Sequence, residues 1–396
     1  MTSPQGLTQS RPNDLSAEAI GWRRHLHKTP ELGFDLPNTA AFVAARLREF
    51  GCDEIVEGIA RTGIVALIHG RRGPGRTIGL RSDMDALPIL EASGKDWQST
   101  ESGKMHACGH DGHMAMLLGA AKALAASRDF AGTVAVIFQP AEENGGGGRV
   151  MVQEGMIERF GIDYVYGMHN EPGVPVGQFS IRPGAMMAGT AEFDIAMVGQ
   201  GGHAAQPNKA IDPVIMTAAL IQATQTIVSR STDPLHPIVV SITSLSTPVS
   251  HNVIPAEVAL KGTIRAFDPV ALQDAIDRLG GYARSIAEMH GGSARVDIRH
   301  GYPITFNAAA QTDVAISVAR QIAGAEGVET DATPKLGAED FSFMLNERPG
   351  SMIMIGNGDT AQLHNPGYDF SDDTVSYGID YWCRLVDQVL NAPAPA

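Results

Sequence analysis

Five short stretches carry side chains suited to binding a metal ion or moving a proton. They are Asp83-Met84-Asp85, Met105-His106-Ala107-Cys108-Gly109-His110-Asp111, Gln139-Pro140-Ala141-Glu142-Glu143, Met168-His169-Asn170 and Leu363-His364-Asn365-Pro366-Gly367. In a turn, a thiolate and an imidazole two residues apart, as Cys108 and His110 are, can grip one ion or two neighbouring ones. Cys108 could equally be an inert buried thiol, and His169 and His364 hydrogen-bonded structural histidines. Glu142-Glu143 suits metal-assisted hydrolysis: one carboxylate ligates the ion, while its neighbour takes a proton from activated water and passes it to the leaving amine. A solvated acidic pair is the plainer alternative, but an apolar strand and Pro140 precede the pair and a helix starts near Gly148, which favours rigid burial. Gly145–Gly148 superficially resembles a phosphate cradle. It lacks the Lys-Ser/Thr ending of a P-loop and reads as a flexible approach to that helix.

Such residues need a scaffold that makes them converge. Ser16–His27 and Asn38–Phe50 read as helices, and Gly63–Ile68, Thr77–Leu80, Thr133–Phe138 and Tyr164–Met168 as strands. Asp111–Ser127 carries Met114, Leu117, Leu118, Ala121 and Leu124 at helical spacing. Strands separated by helices imply a largely parallel sheet flanked by helices. Ligands gather at the carboxyl ends of such strands, where Thr77–Leu80, Thr133–Phe138 and Tyr164–Met168 each deliver one of the stretches above.

From Gly184 to about Tyr302 the rhythm changes to strand Glu192–Val198, helix Asp212–Ser229, strands Ile238–Leu245 and Glu257–Phe267, helix Val270–His290 and strand Ala294–His300. This is the β-α-β-β-α-β order of a ferredoxin-like unit. A helix (Gln311–Ala323) and a strand (Ser351–Ile355) then return to the first style. The expected fold is therefore α/β: a discontinuous catalytic domain over residues 14–183 and 303–396, with an inserted ferredoxin-like domain over 184–302.

Composition narrows the function classes. Of 396 residues 43% are apolar and 19% charged, which excludes disorder. The net charge of −14, with no local basic patch, argues against nucleic acid as a partner. Cys52, Cys108 and Cys383 are too few and scattered for a disulfide framework, so a reducing compartment is expected. The first residues lack the basic and apolar regions of a secretory signal, and no apolar run is long enough for a membrane span. The expectation is a soluble cytoplasmic protein with a peripheral start, up to about Asn13, and a peripheral PAPA tail.

Longer motifs add a resemblance. RRHLHKTPELGF (Arg23–Phe34), LRSDMDALP (Leu80–Pro88), MHACGHDGHMAMLLGAA, FQPAEENGGGG, YGMHN, GQGGHAAQP (Gly199–Pro207), NVIPAEVALKGTIRAF, GAEDFSF (Gly337–Phe343) and LHNPGYDF occur in order, from about Gly21 to Trp382. The chain resembles the aminoacylase-type metallopeptidases, in the branch of bacterial hippurate hydrolases and plant auxin-conjugate hydrolases. That resemblance implies a homodimeric amidohydrolase that splits N-acyl amino acids. Cys108, His110, Glu143, His169 and His364 would ligate two divalent ions (zinc, manganese, cobalt or nickel), with Glu142 as general base and later acid. Asp85 would orient a ligating imidazole, and His113 would be structural.

The inserted domain would be a lid and dimerisation domain. Its His203, on residue type alone an exposed turn histidine, would stabilise the oxyanion, and Asn252 and Arg265 would hold the substrate carboxylate. Asp83 stands where two-zinc relatives carry a ligating histidine, which leaves the metal open. A dipeptidase or carboxypeptidase, or an amidase acting on an aromatic conjugate, is the alternative within the same chemistry. A catalytically silent scaffold is the alternative outside it, and the presence of Glu142 with all five ligand types argues against that.

Overall fold

The computed structural model describes residues 13–247 and 250–391; the chain before Asn13 and the PAPA tail lie outside them. The chain divides into two compact units. The larger comprises the described parts of Met1–Gly184, Phe306–Thr333 and Asp340–Ala396, and the smaller Ala185–Thr305 with Pro334–Glu339. In chain order the main elements of the larger unit begin α1 (Asn13–Lys28), α2 (Pro37–Phe50), β1 (Glu54–Ile59), β2 (Gly63–His69), β3 (Thr77–Asp83), α3 (His110–Ser127), β4 (Thr133–Gln139), α4 (Gly147–Gln153) and β5 (Tyr164–Glu171). The smaller unit supplies β6 (Gly189–Val198), α5 (Pro213–Thr226), β7 (Ile238–Ser246), β8 (Glu257–Ala266), α6 (Pro269–Met289) and β9 (Ser293–His300). The larger unit then resumes with α7 (Ala309–Ala323), β10 (Gly350–Gly356) and α8 (Thr374–Leu390).

The sheet of the larger unit runs β1-β2-β4-β3-β5-β10, followed by the two-residue strands Phe179–Ser180 and Val328–Glu329. Its centre is parallel: β4 with β3, β3 with β5, and β5 with β10. β1, β2 and β4 are joined antiparallel. Residues of both parities are buried along β3, β4 and β10, so both faces of these strands are covered, and their near-continuous apolar runs follow from that. Helix α3 is apolar on nearly all sides, and it packs against α1, α2 and α8. Asp83 and Gln139 lie opposite one another at the carboxyl ends of β3 and β4.

The smaller unit is a four-stranded antiparallel sheet in the order β7-β8-β6-β9, the ferredoxin-like arrangement. Along β6, Ala191, Phe193, Ile195 and Met197 point into a core shared with Leu220, Leu279 and Ala283 of α5 and α6. Both helices start with an aspartate cap before a proline: Asp212 accepts from the Val214 N–H, and Asp268 from that of Ala271. The helix expected over Asp212–Ser229 ends earlier, widening into a π-turn at Ile227–Ser231. Among the described residues no helix is long and apolar enough to cross a membrane.

Candidate metal centre

The ends of the parallel strands turn the spacing argument into geometry. β3 ends in Asp83, with Asp85 just beyond, β4 leads into Pro140 and the Glu142-Glu143 pair, and β5 carries His169. Gly109 precedes the first turn of α3, which starts at His110, and His364 sits in a loop after β10 with its N–H donated to the Ala107 carbonyl at 2.8 Å. His364 holds a left-handed backbone, φ 64°, and is half exposed.

The five expected ligands come together. Ligand atoms of Cys108, His110 and His169 lie within 4.8 Å of one another, as do those of Cys108, Glu143 and His364, and those of His110, Glu142 and Glu143. Cys108 Sγ is 3.4 Å from His169 Nε2, Glu143 Oε1 3.8 Å from His110 Nε2, and Glu143 Oε2 3.5 Å from His364 Nε2. Cys108, His110 and Glu143 each belong to two of these groups, so the set suits neighbouring ions rather than one. His110 Nε2 and Glu143 Oε1 are buried without a hydrogen-bond partner and lie 3.8 Å apart, with Asp83 Oδ2 3.6 Å from the same imidazole nitrogen.

The electrostatics agree with a cation. Burial, and then the carboxylates of Glu143, Glu142 and Asp83, push the Cys108 thiol well above its ordinary range. Burial pulls His110 down, but Asp83, Asp85 and Glu143 outweigh it and raise the imidazole to about 10. Burial together with His113 holds His169 well below the usual imidazole value. A site that retains protons on a thiol and an imidazole among carboxylates is the complement of a divalent ion, whose binding displaces them.

Asp85 adjoins the ligand residues through both its main chain and its side chain. The His110 ring donates from Nδ1 to the main-chain carbonyl of Asp85 at 2.8 Å, with the Asp85 carboxylate at 3.5 Å. That carboxylate accepts from the N–H groups of Glu142 (3.0 Å) and Glu143 (3.1 Å), so it fixes the turn that presents both acids. Ala141, at φ 55°, bends the chain sharply into that turn.

Asp83 is fully buried. It accepts from Arg81 at 2.9 Å and from His113 at 2.7 Å. His113 Nε2 in turn accepts from the Asn170 N–H at 3.0 Å, so both its nitrogens are engaged. The glycine run is no phosphate cradle: the Gly148 N–H is taken by Asp340 at 2.8 Å, and a Cβ on Gly147 would lie 1.7 Å from the Pro140 carbonyl oxygen. Arg81, Gln139 and Asp340 fall inside the quoted motifs, but sequence reasoning gave none of them a role. Asp340 falls inside the GAEDFSF motif, the one signal that could have singled it out.

The remaining candidates stand on the smaller unit. His203 is exposed, in a short strand opposite Val253, and its Nδ1 accepts from the Ala205 N–H. Asn252 is beside it, its carbonyl accepting from the Ala204 N–H. Arg265, on β8, donates to the Leu336 carbonyl at 2.7 Å and is not grouped with these two.

Comparison with known proteins is consistent with this arrangement. The model of peptidase family M20/M25/M40 matches residues 79–388. A hippurate hydrolase of Campylobacter jejuni is 37% identical over 372 residues, covering 94% of this chain and 96% of that protein. Thermostable carboxypeptidase 2 of Saccharolobus solfataricus is 39% identical over 359 residues, covering 88% and 89%. Among solved structures, the YXEP protein of Bacillus subtilis, described as a dinuclear metal binding peptidase from the M20 family, superposes with a TM-score of 0.84 at 31% identity, covering 96% of this chain and 99% of its own. The chain belongs to peptidase family M20/M25/M40.

Proposed function

We propose that the protein is a metal-dependent amidohydrolase that cleaves the amide of N-acyl amino acids, releasing a carboxylic acid and the free amino acid. The observation that carries this reading is that His110 Nε2 and Glu143 Oε1 are buried without hydrogen-bond partners within the interlocked ligand groups, with Glu142 adjoining. Cys108, His110, Glu143, His169 and His364 would hold two divalent ions. Such ions polarise a carbonyl and make water nucleophilic at neutral pH. Glu142, its main chain tethered by Asp85, takes the proton of the attacking water and returns it to the leaving nitrogen. His203 is assigned to the developing oxyanion, and Asn252 and Arg265 to the substrate carboxylate. The smaller unit is assigned the lid and dimerisation role. That Cys52, Cys108 and Cys383 are not paired in disulfides supports a reducing cytoplasm as the protein's compartment.

The test uses Glu142→Gln. The variant should retain parent metal content, while its rate on hippurate falls by about 10²–10⁴-fold. A variant that binds metal and hydrolyses at the parent rate would falsify the assignment. The 39% identical carboxypeptidase favours a second reading, peptide C-terminal cleavage. Initial rates on hippurate, N-acetyl-methionine, a dipeptide and an indole-acetyl amino acid separate the two.

A further inference from the structure

The Cys108-Gly109-His110 turn is held by two buried side chains to which no ligand role is assigned. Asn170 Nδ2 donates to the main-chain carbonyl of Cys108 at 2.6 Å, and Asn170 Oδ1 accepts from the Tyr368 hydroxyl at 2.7 Å. A carbonyl only accepts, so the amide nitrogen must face Cys108 and the amide oxygen is left for the tyrosine; chemistry fixes the orientation. The main chain of Asn170 acts on the same centre. Its carbonyl accepts from His169 Nδ1 at 2.7 Å, which leaves Nε2 of that ring to face Cys108 Sγ at 3.4 Å. Its N–H donates to His113 Nε2, which places the proton of His113 on Nδ1, toward Asp83.

The fit is close. Gly109 has φ +91°, and a Cβ there would lie 2.4 Å from Asn170 Nδ2 and 2.6 Å from the Tyr368 oxygen. The turn backbone is therefore pressed directly onto this pair. Tyr368 comes four residues after His364, so one hydrogen-bonded chain joins the three segments that carry Cys108 and His110, His169, and His364.

We propose that Asn170 and Tyr368 are positioning residues of the metal centre, setting the Cys108 turn and the His169 ring so that sulfur and imidazole nitrogen converge on one ion. This rests on reading Cys108 and His169 as ligands. Removing the hydroxyl leaves Asn170 Oδ1 buried and unpaired, so the amide is oriented from its Nδ2 side alone, by the Cys108 carbonyl and by His113 Nε2 at 3.1 Å. Partners that orient metal ligands are commonly worth about 10–100-fold in metal affinity.

The experiment compares the metal-free full chain with Tyr368→Phe and Asn170→Ala, each titrated with Co²⁺ against a competing chelator. The thiolate-to-cobalt absorption band and the metal-free melting temperature are recorded alongside. Tyr368→Phe should bind Co²⁺ about 10-fold or more weakly with an altered thiolate band, and Asn170→Ala more weakly still. The proposal is overturned if Tyr368→Phe binds Co²⁺ with the parent affinity and band and loses only melting temperature, because the hydroxyl would then serve packing alone. A parent chain with no thiolate band fails the ligand reading instead, and the proposal falls with it.

Discussion

Charged side chains occur on both sheets, in opposite settings. On the sheet of the larger unit Arg81 is wholly buried, donating to Gln139 at 2.9 Å, Asp83 at 2.9 Å and Asp340 at 3.0 Å. On the smaller sheet Arg299 lies on an open face among Glu192, Asp194 and Asp297. Both are an arginine among carboxylates. Burial decides what each does. The first charge can be tolerated only because every partner is in place, and it locks together β3, β4 and the loop at Asp340 behind the metal centre. The second exchanges its partners with water at little cost.

Removing each arginine tests the contrast most sharply. Arg81→Met removes the one guanidinium shared by the buried carboxylates of Asp83 and Asp340, leaving Asp83 with His113 and Asp340 with Gln139 and the Gly148 N–H, and should cost about 3–5 kcal/mol, read as a lower urea midpoint. A midpoint equal to the parent would erase the difference between the two sheets.

A second buried cluster sharpens it through pH. His27 contacts Asp111 at 2.8 Å and Glu91 at 3.2 Å. Burial alone would lower its pKa, but Asp111 and Glu91 outweigh burial and raise it from 6.5 to about 9. The folded value lies above the unfolded one, so this contribution is complete below about pH 6.5 and is lost as pH rises through about 9. At 1.36 kcal/mol per unit it amounts to roughly 3 kcal/mol. Urea midpoints at pH 6 and pH 10 should therefore diverge in the parent, and less so in His27→Gln. The smallest effect is expected at Arg299→Ala, whose midpoint should be indistinguishable from the parent at moderate salt.

What the sequence disclosed follows the physics of each feature. β3, β4, β5 and α3 have apolar runs or stripes long enough to carry a period, and the ligands sit beside them in compact motifs. β1, half exposed, and the two-residue strands Phe179–Ser180 and Val328–Glu329 carry no comparable signal. The polar scaffolding was hidden for another reason. Arg81 and Asp340 are 259 residues apart, and a hydrogen bond between distant residues leaves no periodic trace. The two jobs of Asp85, carbonyl to His110 and carboxylate to the Glu142-Glu143 turn, are distinguishable only once main-chain directions are known.

The place of β10 in the sheet has a consequence for biosynthesis. It lies directly beside β5, yet the whole smaller unit is translated between them. At about 5–20 residues per second, the roughly 180 intervening residues keep that flank of the nascent sheet uncovered for about 10–40 s. Four of the five expected ligands emerge before this interval and His364 only after it, so a ribosome-bound intermediate exposes both an unzipped strand edge and an unfinished centre. Chaperone occupancy during translation should concentrate in that window.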